Sequence, residues 1–191
     1  MTPEQSLQLI EGMIGQAKRS FSRMSFYFLL WGVLLIAAMV TTYLLRDAPG
    51  GWGRGLPWMV VGILGGLISS IHGARQGRKQ LVANPMDGII GWLWSAFVIT
   101  MLLVILAQGI AHRDPGPMIT LLIGIPTFMT GQIMRFRPLI LGGILFWVVG
   151  IVMHLTHDPL LLTMLYCGAM LFGYIVPGLI LKNQENGLRS A

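Results

Sequence analysis

The residues with most chemical potential sit in two short segments. One is Gly124-Ile125-Pro126-Thr127, which leads on to Thr130 and Gln132. The other is Tyr174 followed by Val176-Pro177-Gly178. Each proline lacks an N–H and leaves the carbonyl four residues earlier, of Leu122 or Gly173, without its helical partner. Freed carbonyls beside hydroxyls and an amide can build a polar pocket inside an apolar bundle. Paired interruptions of this kind are also the sequence sign of a transporter site. Pro126, Thr127, Thr130, Gln132, Tyr174 and Pro177 are therefore the candidate ligand cavity. The competing reading is local, since a neighbouring Ser or Thr often satisfies a carbonyl freed by proline.

Other constellations are sparse. His154 and His157 are spaced i,i+3 beside Asp158, which suits an interfacial pair better than a metal centre. His72 and His154 fall near opposite ends of apolar runs and cannot share one haem. Cys167 is the single cysteine, so no intramolecular disulfide or CxxC motif exists. Walker A, HExxH and GxSxG patterns are absent. No Asp, Glu, Lys or Arg lies deep in an apolar run, which disfavours proton coupling through the membrane. No catalytic residue, cofactor site or metal site is assigned, and the chain is not expected to be an enzyme.

The elements that must position these residues follow from composition. Of 191 residues, 54% are hydrophobic and 10% charged, where a soluble domain carries about 25% charged. Mean hydropathy is +0.72. This is the composition of a polytopic membrane protein. Spanning the hydrocarbon takes roughly 20 apolar residues. Six runs reach or approach that length: Ser25–Leu45, Leu56–Gly73, Ile89–Ile110, Met118–Met134, Leu139–Leu155 and Leu160–Leu181. Short polar connections make neighbours antiparallel. The expected fold is an all-α bundle of six transmembrane helices in three sequential hairpins, over residues 25–181. A short amphipathic helix (1–24) precedes it and a tail (182–191) follows.

Lys and Arg set the orientation. The first stretch, the second and fourth loops and the tail hold ten of the thirteen: Lys18, Arg19, Arg23, Arg75, Arg78, Lys79, Arg135, Arg137, Lys182 and Arg189. Arg46, Arg54 and Arg113 are on the other side. Both termini should then be cytoplasmic. A net charge of +6 could suggest nucleic acid, but this alternation assigns the charge to the membrane, and no nucleic-acid partner is expected. Lys18, Arg19, Arg75, Arg78, Lys79, Arg135 and Arg137 are candidates for anionic lipid headgroups.

In the N-terminal stretch, Thr2-Pro3-Glu4-Gln5 forms a helix start, and Leu7, Ile10, Ile14, Ala17 and Phe21 form one apolar stripe. In the second run, Gly62, Gly66 and Ser70 recur every four residues, as do Gly65, Ser69 and Gly73. Such ridges let helix backbones approach closely in lipid. One ridge can serve the bundle while the other meets a second copy or another membrane protein. The six tryptophans read as interfacial anchors. The intervals Pro85 to Trp94 and Pro138 to Trp147 are equal, and Asp-Pro recurs in the outer loops, a weak sign of internal repetition.

Ser25-Phe26-Tyr27-Phe28-Leu29-Leu30-Trp31-Gly32, Pro138-Leu139-Ile140-Leu141-Gly142-Gly143-Ile144 and Tyr174-Ile175-Val176-Pro177-Gly178 together resemble a family of small six-span bacterial inner-membrane proteins. The resemblance implies the same topology, and the family has no activity to carry over. Two classes of function are compatible with these features. One is a non-catalytic accessory, packing or sensing module, and the other is a small-solute or lipid transporter using the interrupted fourth and sixth helices. A hydrated cavity at Thr127, Thr130 and Tyr174 would favour transport. A dry, packed interior would favour the module.

Overall fold

A computed structural model describes the backbone of residues 3–48, 52–77 and 85–189, and the side chains of residues 24–48, 55–75 and 88–184. The described residues are helical apart from short turns. The helices are α1 (Pro3–Leu44), α2 (Trp52–Gly77), α3 (Pro85–Ile110), α4 (Gly116–Ile133), α5 (Arg137–Leu155), α6 (Pro159–Met170) and α7 (Val176–Arg189). A π-helical turn, Leu171–Ile175, joins α6 to α7. Six stretches are long and apolar enough to cross a membrane: Met24–Leu44, Gly55–Arg75, Gly88–Ile110, Gly116–Ile133, Arg137–Leu155 and Pro159–Gln184. The protein is an all-α, six-helix membrane protein, and each stretch matches an expected one closely.

The two ends differ from expectation in continuity. The amphipathic stretch and the first span form one helix, because no glycine or proline lies between Gly15 and Gly32 to break it. Likewise α7 runs past Leu181 to Arg189. Thr2 lies outside the described residues, as do the side chains of Lys18 and Arg19.

Local chemistry makes the turns. Asp114 accepts the Gly116 N–H at 2.9 Å, and Asp158 caps α6 by accepting the Leu160 N–H at 3.0 Å. The aspartates of these two loops thus act as turn residues. Helix α4 ends with Arg135 left-handed (φ 51°), the Arg135 N–H donating to Gln132 O and the Phe136 N–H to Gly131 O. Helix α3 ends the same way around His112 (φ 52°), with Arg113 N–H donating to Gln108 O. Both are Schellman closures that satisfy otherwise orphaned carbonyls, with a side chain where glycine is usual.

Packing is uneven. The most extensive contact is between α4 and α5. It depends on glycines seven apart on each helix, Gly124 and Gly131 facing Gly143 and Gly150. A Cβ on Gly143 would lie 2.7 Å from Phe128 Cα, and one on Gly131 would lie 2.7 Å from Ile140 N. Helix α1 packs on α2, α6, the π-turn and α7. The extended neighbour of α2 is α1, and that of α3 is α4, so these two helices stand at the periphery. The core is Phe28, Leu139, Phe146, Met170, Tyr174 and Leu181, each at most 3% exposed.

Candidate functional site

The two proline interruptions meet. Pro126, Thr127, Thr130, Tyr174 and Pro177 are all buried, each below 2% exposed. Thr127 donates its hydroxyl proton to Ile123 O at 2.7 Å, a bond back onto its own helix one residue beyond the Leu122 carbonyl that Pro126 frees. Its oxygen lies 3.4 Å from Tyr174 Oη. A threonine hydroxyl has one proton. With that proton on Ile123 O, Tyr174 is the donor across the gap. The Thr130 hydroxyl accepts the Trp94 indole N–H at 3.2 Å. Thr120, one face-turn outward, donates to Gly116 O at 2.9 Å and lies 3.7 Å from Met153 Sδ.

Side chains fill the space around this cluster. The Tyr174 ring makes edge contacts with Phe28 at 5.3 Å and Phe146 at 5.2 Å. The backbone of the π-turn is clamped from both sides. A Cβ on Gly142 would lie 2.9 Å from Gly173 O, and one on Gly32 would lie 3.2 Å from Tyr174 Cβ. Five carbonyl-to-amide steps, from Leu171 O to Val176 N–H, accommodate the missing donor at Pro177. Every fully enclosed polar side-chain atom among the described residues has a partner. The candidate residues on α4 and around Pro177 thus form a buried, hydrogen-bonded polar lock. Gln132 does not belong to it. Five residues past Thr127, it is turned to another face of α4 and is exposed.

Open space lies on the outside instead. Two shallow apolar grooves line α5 and α6. One, of about 360 Å³, runs between Leu141 and Gly142 of α5 and Phe172 of the π-turn. The other, of about 280 Å³, runs between Val149 and Met164.

The two small-residue ridges of α2 have different fates. A Cβ on Gly65 would lie 2.9 Å from the Trp31 ring, and one on Gly73 would lie 3.2 Å from Tyr27 Oη. Ser69 accepts the Trp31 indole N–H at 3.2 Å. That ridge is filled by α1. Nothing lies within 4 Å of a Cβ placed on Gly62 or Gly66, and Ser70 is exposed. That ridge is open.

Tryptophan is the residue type the sequence reading placed least well. Trp31 and Trp94 are hydrogen-bonded between helices, and Trp147 covers Gly124 at 2.5 Å from its virtual Cβ. Trp92 is 80% exposed, as an interfacial anchor would be. The α4–α5 glycines were also missed. Their signal, glycine at a seven-residue interval on adjacent short spans, is present in the sequence.

Arg75, Arg135 and Arg137 are exposed at helix ends. Arg78 and Lys79 lie outside the described residues. Across the bundle, Arg46 pairs with Asp47 at 3.2 Å and sits 4.4 Å over the Tyr43 ring. The hydrogen bond to Asp47 raises the Arg46 pKa above its ordinary value. His154 and His157 are exposed, and Asp158 is occupied by its cap. In comparisons with known proteins, no family model, no curated protein and no solved structure matches the chain.

Proposed function

We propose that this integral membrane protein is a non-catalytic accessory, packing or sensing module that works through helix-to-helix contact. Its setting is a bacterial inner membrane, and it belongs with the small six-span proteins its motifs resemble. The excess of Lys and Arg around the even-numbered loops supports cytoplasmic termini. Arg75, Arg135 and Arg137 then face the anionic leaflet.

The observation that carries this reading is the pair of ridges on α2. Gly65, Ser69 and Gly73 receive α1, while Gly62 and Gly66 meet nothing within 4 Å. Close approach of helices in lipid depends on such small residues, and the open ridge is the surface available to a second copy or another membrane protein. The transporter alternative rested on a cavity between α4 and α6. Thr127 pairs with Tyr174, Thr130 pairs with the Trp94 indole and Tyr174 lies against Phe28 and Phe146, which gives it no support.

The test is assembly in lipid. Wild-type protein in nanodiscs, alone and after pull-down from its native membrane, should exceed the mass of one chain. Gly66→Leu should return it to one chain without unfolding it. A wild type that is always a single chain with no companion overturns the proposal.

A further inference from the structure

The two outer grooves form one trough. Leu145 and Phe172 line both of them, so the two adjoin along the seam between α5 and the last span. Small residues make the floor, Gly142 in the first groove and Gly168 and Ala169 in the second. Gly142 has no room for a side chain, because its Cβ would lie 2.9 Å from Gly173 O, and a Cβ on Gly168 would meet nothing within 4 Å. Leu141, Met164 and Phe172 stand beside the floor as walls, each more than 60% exposed. Every residue lining the trough is apolar.

Length and charge narrow what can lie there. On α5 the trough starts at Pro138, the residue after Arg137, and runs to Val149. At 1.5 Å per residue those eleven steps cover roughly 17 Å, slightly more than half of about 30 Å of hydrocarbon. That is the depth of an acyl chain in one leaflet. Arg135 and Arg137 are exposed beside the Pro138 end. The last span runs antiparallel to α5, so Lys182, five residues past Pro177, comes to the same boundary, and it is exposed too. Against these cations, segments 131–138 and 182–191 supply one acidic residue, Glu185. A helix with its side chains is about 10–12 Å across, whereas grooves of about 360 and 280 Å³ suit a single hydrocarbon chain. An anion at the boundary and a hydrocarbon chain below it describe an acidic phospholipid.

We propose that the α5 trough seats one acyl chain of an anionic glycerophospholipid, whose phosphate-bearing headgroup is held by Arg135 and Arg137 with Lys182 at the rim. The chain passes over Gly142, between Leu145 and Phe172, and on toward Gly168. This seat is separate from the open ridge of α2, a helix whose extended neighbour is α1, so either can fail without the other.

The test titrates the delipidated full chain in detergent with phosphatidylglycerol or phosphatidylcholine of identical acyl chains, and reads bound lipid by native mass spectrometry. Wild type should hold phosphatidylglycerol more tightly by about fivefold for each arginine engaged. Arg135→Gln together with Arg137→Gln should remove that preference. Gly168→Phe, which fills the trough floor, should weaken retention of both lipids and leave the number of chains per particle unchanged. Equal retention of the two lipids by wild type overturns the proposal. So does a Gly168→Phe variant that holds phosphatidylglycerol as wild type does, which would mean headgroup contact without a seated chain. A change in the number of chains per particle on Gly168→Phe would mean that the trough seats a protein helix, and also overturns it. If one variant does not fold, the wild-type comparison and the other variant still decide.

Discussion

The Thr127 and Tyr174 hydroxyl oxygens lie 3.4 Å apart at the point where two proline-interrupted helices cross. Each helix brings its own break, Pro126 in α4 and Pro177 after the π-turn. The contact between them is a tie between the two interrupted helices. A tie of this kind fixes the register of the last span against α4.

That accounting gives a graded expectation for Tyr174. Tyr174→Phe removes one interhelical hydrogen bond but keeps the ring against Phe28 and Phe146. Bonds between membrane helices average about 0.6 kcal/mol, so the loss should be of that order. Tyr174→Ala also removes the buried ring and should cost about 3–5 kcal/mol. Equilibrium unfolding in a fixed detergent separates the two.

On α2 the two ridges should respond oppositely to the same substitution. Gly65→Leu drives side-chain atoms into the Trp31 ring and should destabilise the fold by about 1–3 kcal/mol. Gly66→Leu enters open space and should leave the fold within about 0.5 kcal/mol of wild type. Melting temperatures of the monomeric protein in detergent check this pair.

Along the α5 contact, Gly142→Ala and Gly143→Ala bring Cβ atoms onto the backbone of Gly173 and onto Phe128. Backbone cannot swing aside as a side chain can, so each should cost about 1–3 kcal/mol. Gly168→Ala, with nothing within 4 Å, should be neutral or slightly stabilising. The same unfolding measurement serves.

At the end of α3, His112 occupies a left-handed conformation that costs a non-glycine residue about 1–2 kcal/mol. Glycine avoids that cost but loses more backbone entropy on folding. His112→Gly should therefore stabilise by a net of about 0.5–1 kcal/mol, read as a rise in melting temperature.

Much of the architecture was legible because each span is an apolar run closed by a turn residue or a charge. Asp114 and Asp158 mark two of those turns, and both act there as hydrogen-bond acceptors. Which faces meet was not legible. In a membrane helix apolar residues lie on every side, so hydropathy no longer distinguishes a buried face from a lipid-facing one. Gln132 looked like a cavity residue by sequence proximity to Thr127, yet helical rotation takes it to another face. Trp31 and Trp94 looked like interfacial anchors by residue type, yet each donates to a hydroxyl on the next helix. The unbroken α1 was hidden by a change in polarity near residue 24 that is not a change in backbone structure.

Contact rather than conduction is the central claim, and water access to Thr127 tests it most directly. In a Cys167→Ala background, Thr127→Cys should stay unmodified by a small water-soluble thiol reagent applied from either side of a proteoliposome. Ser70→Cys, on the open ridge, serves as the lipid-facing comparison, and Thr156→Cys, in the turn after α5, as the aqueous one. Labelling at Thr156→Cys with none at Thr127→Cys is the result expected of a closed lock. Labelling of Thr127→Cys at a rate near that of Thr156→Cys would mean a hydrated path through the bundle and would contradict the account.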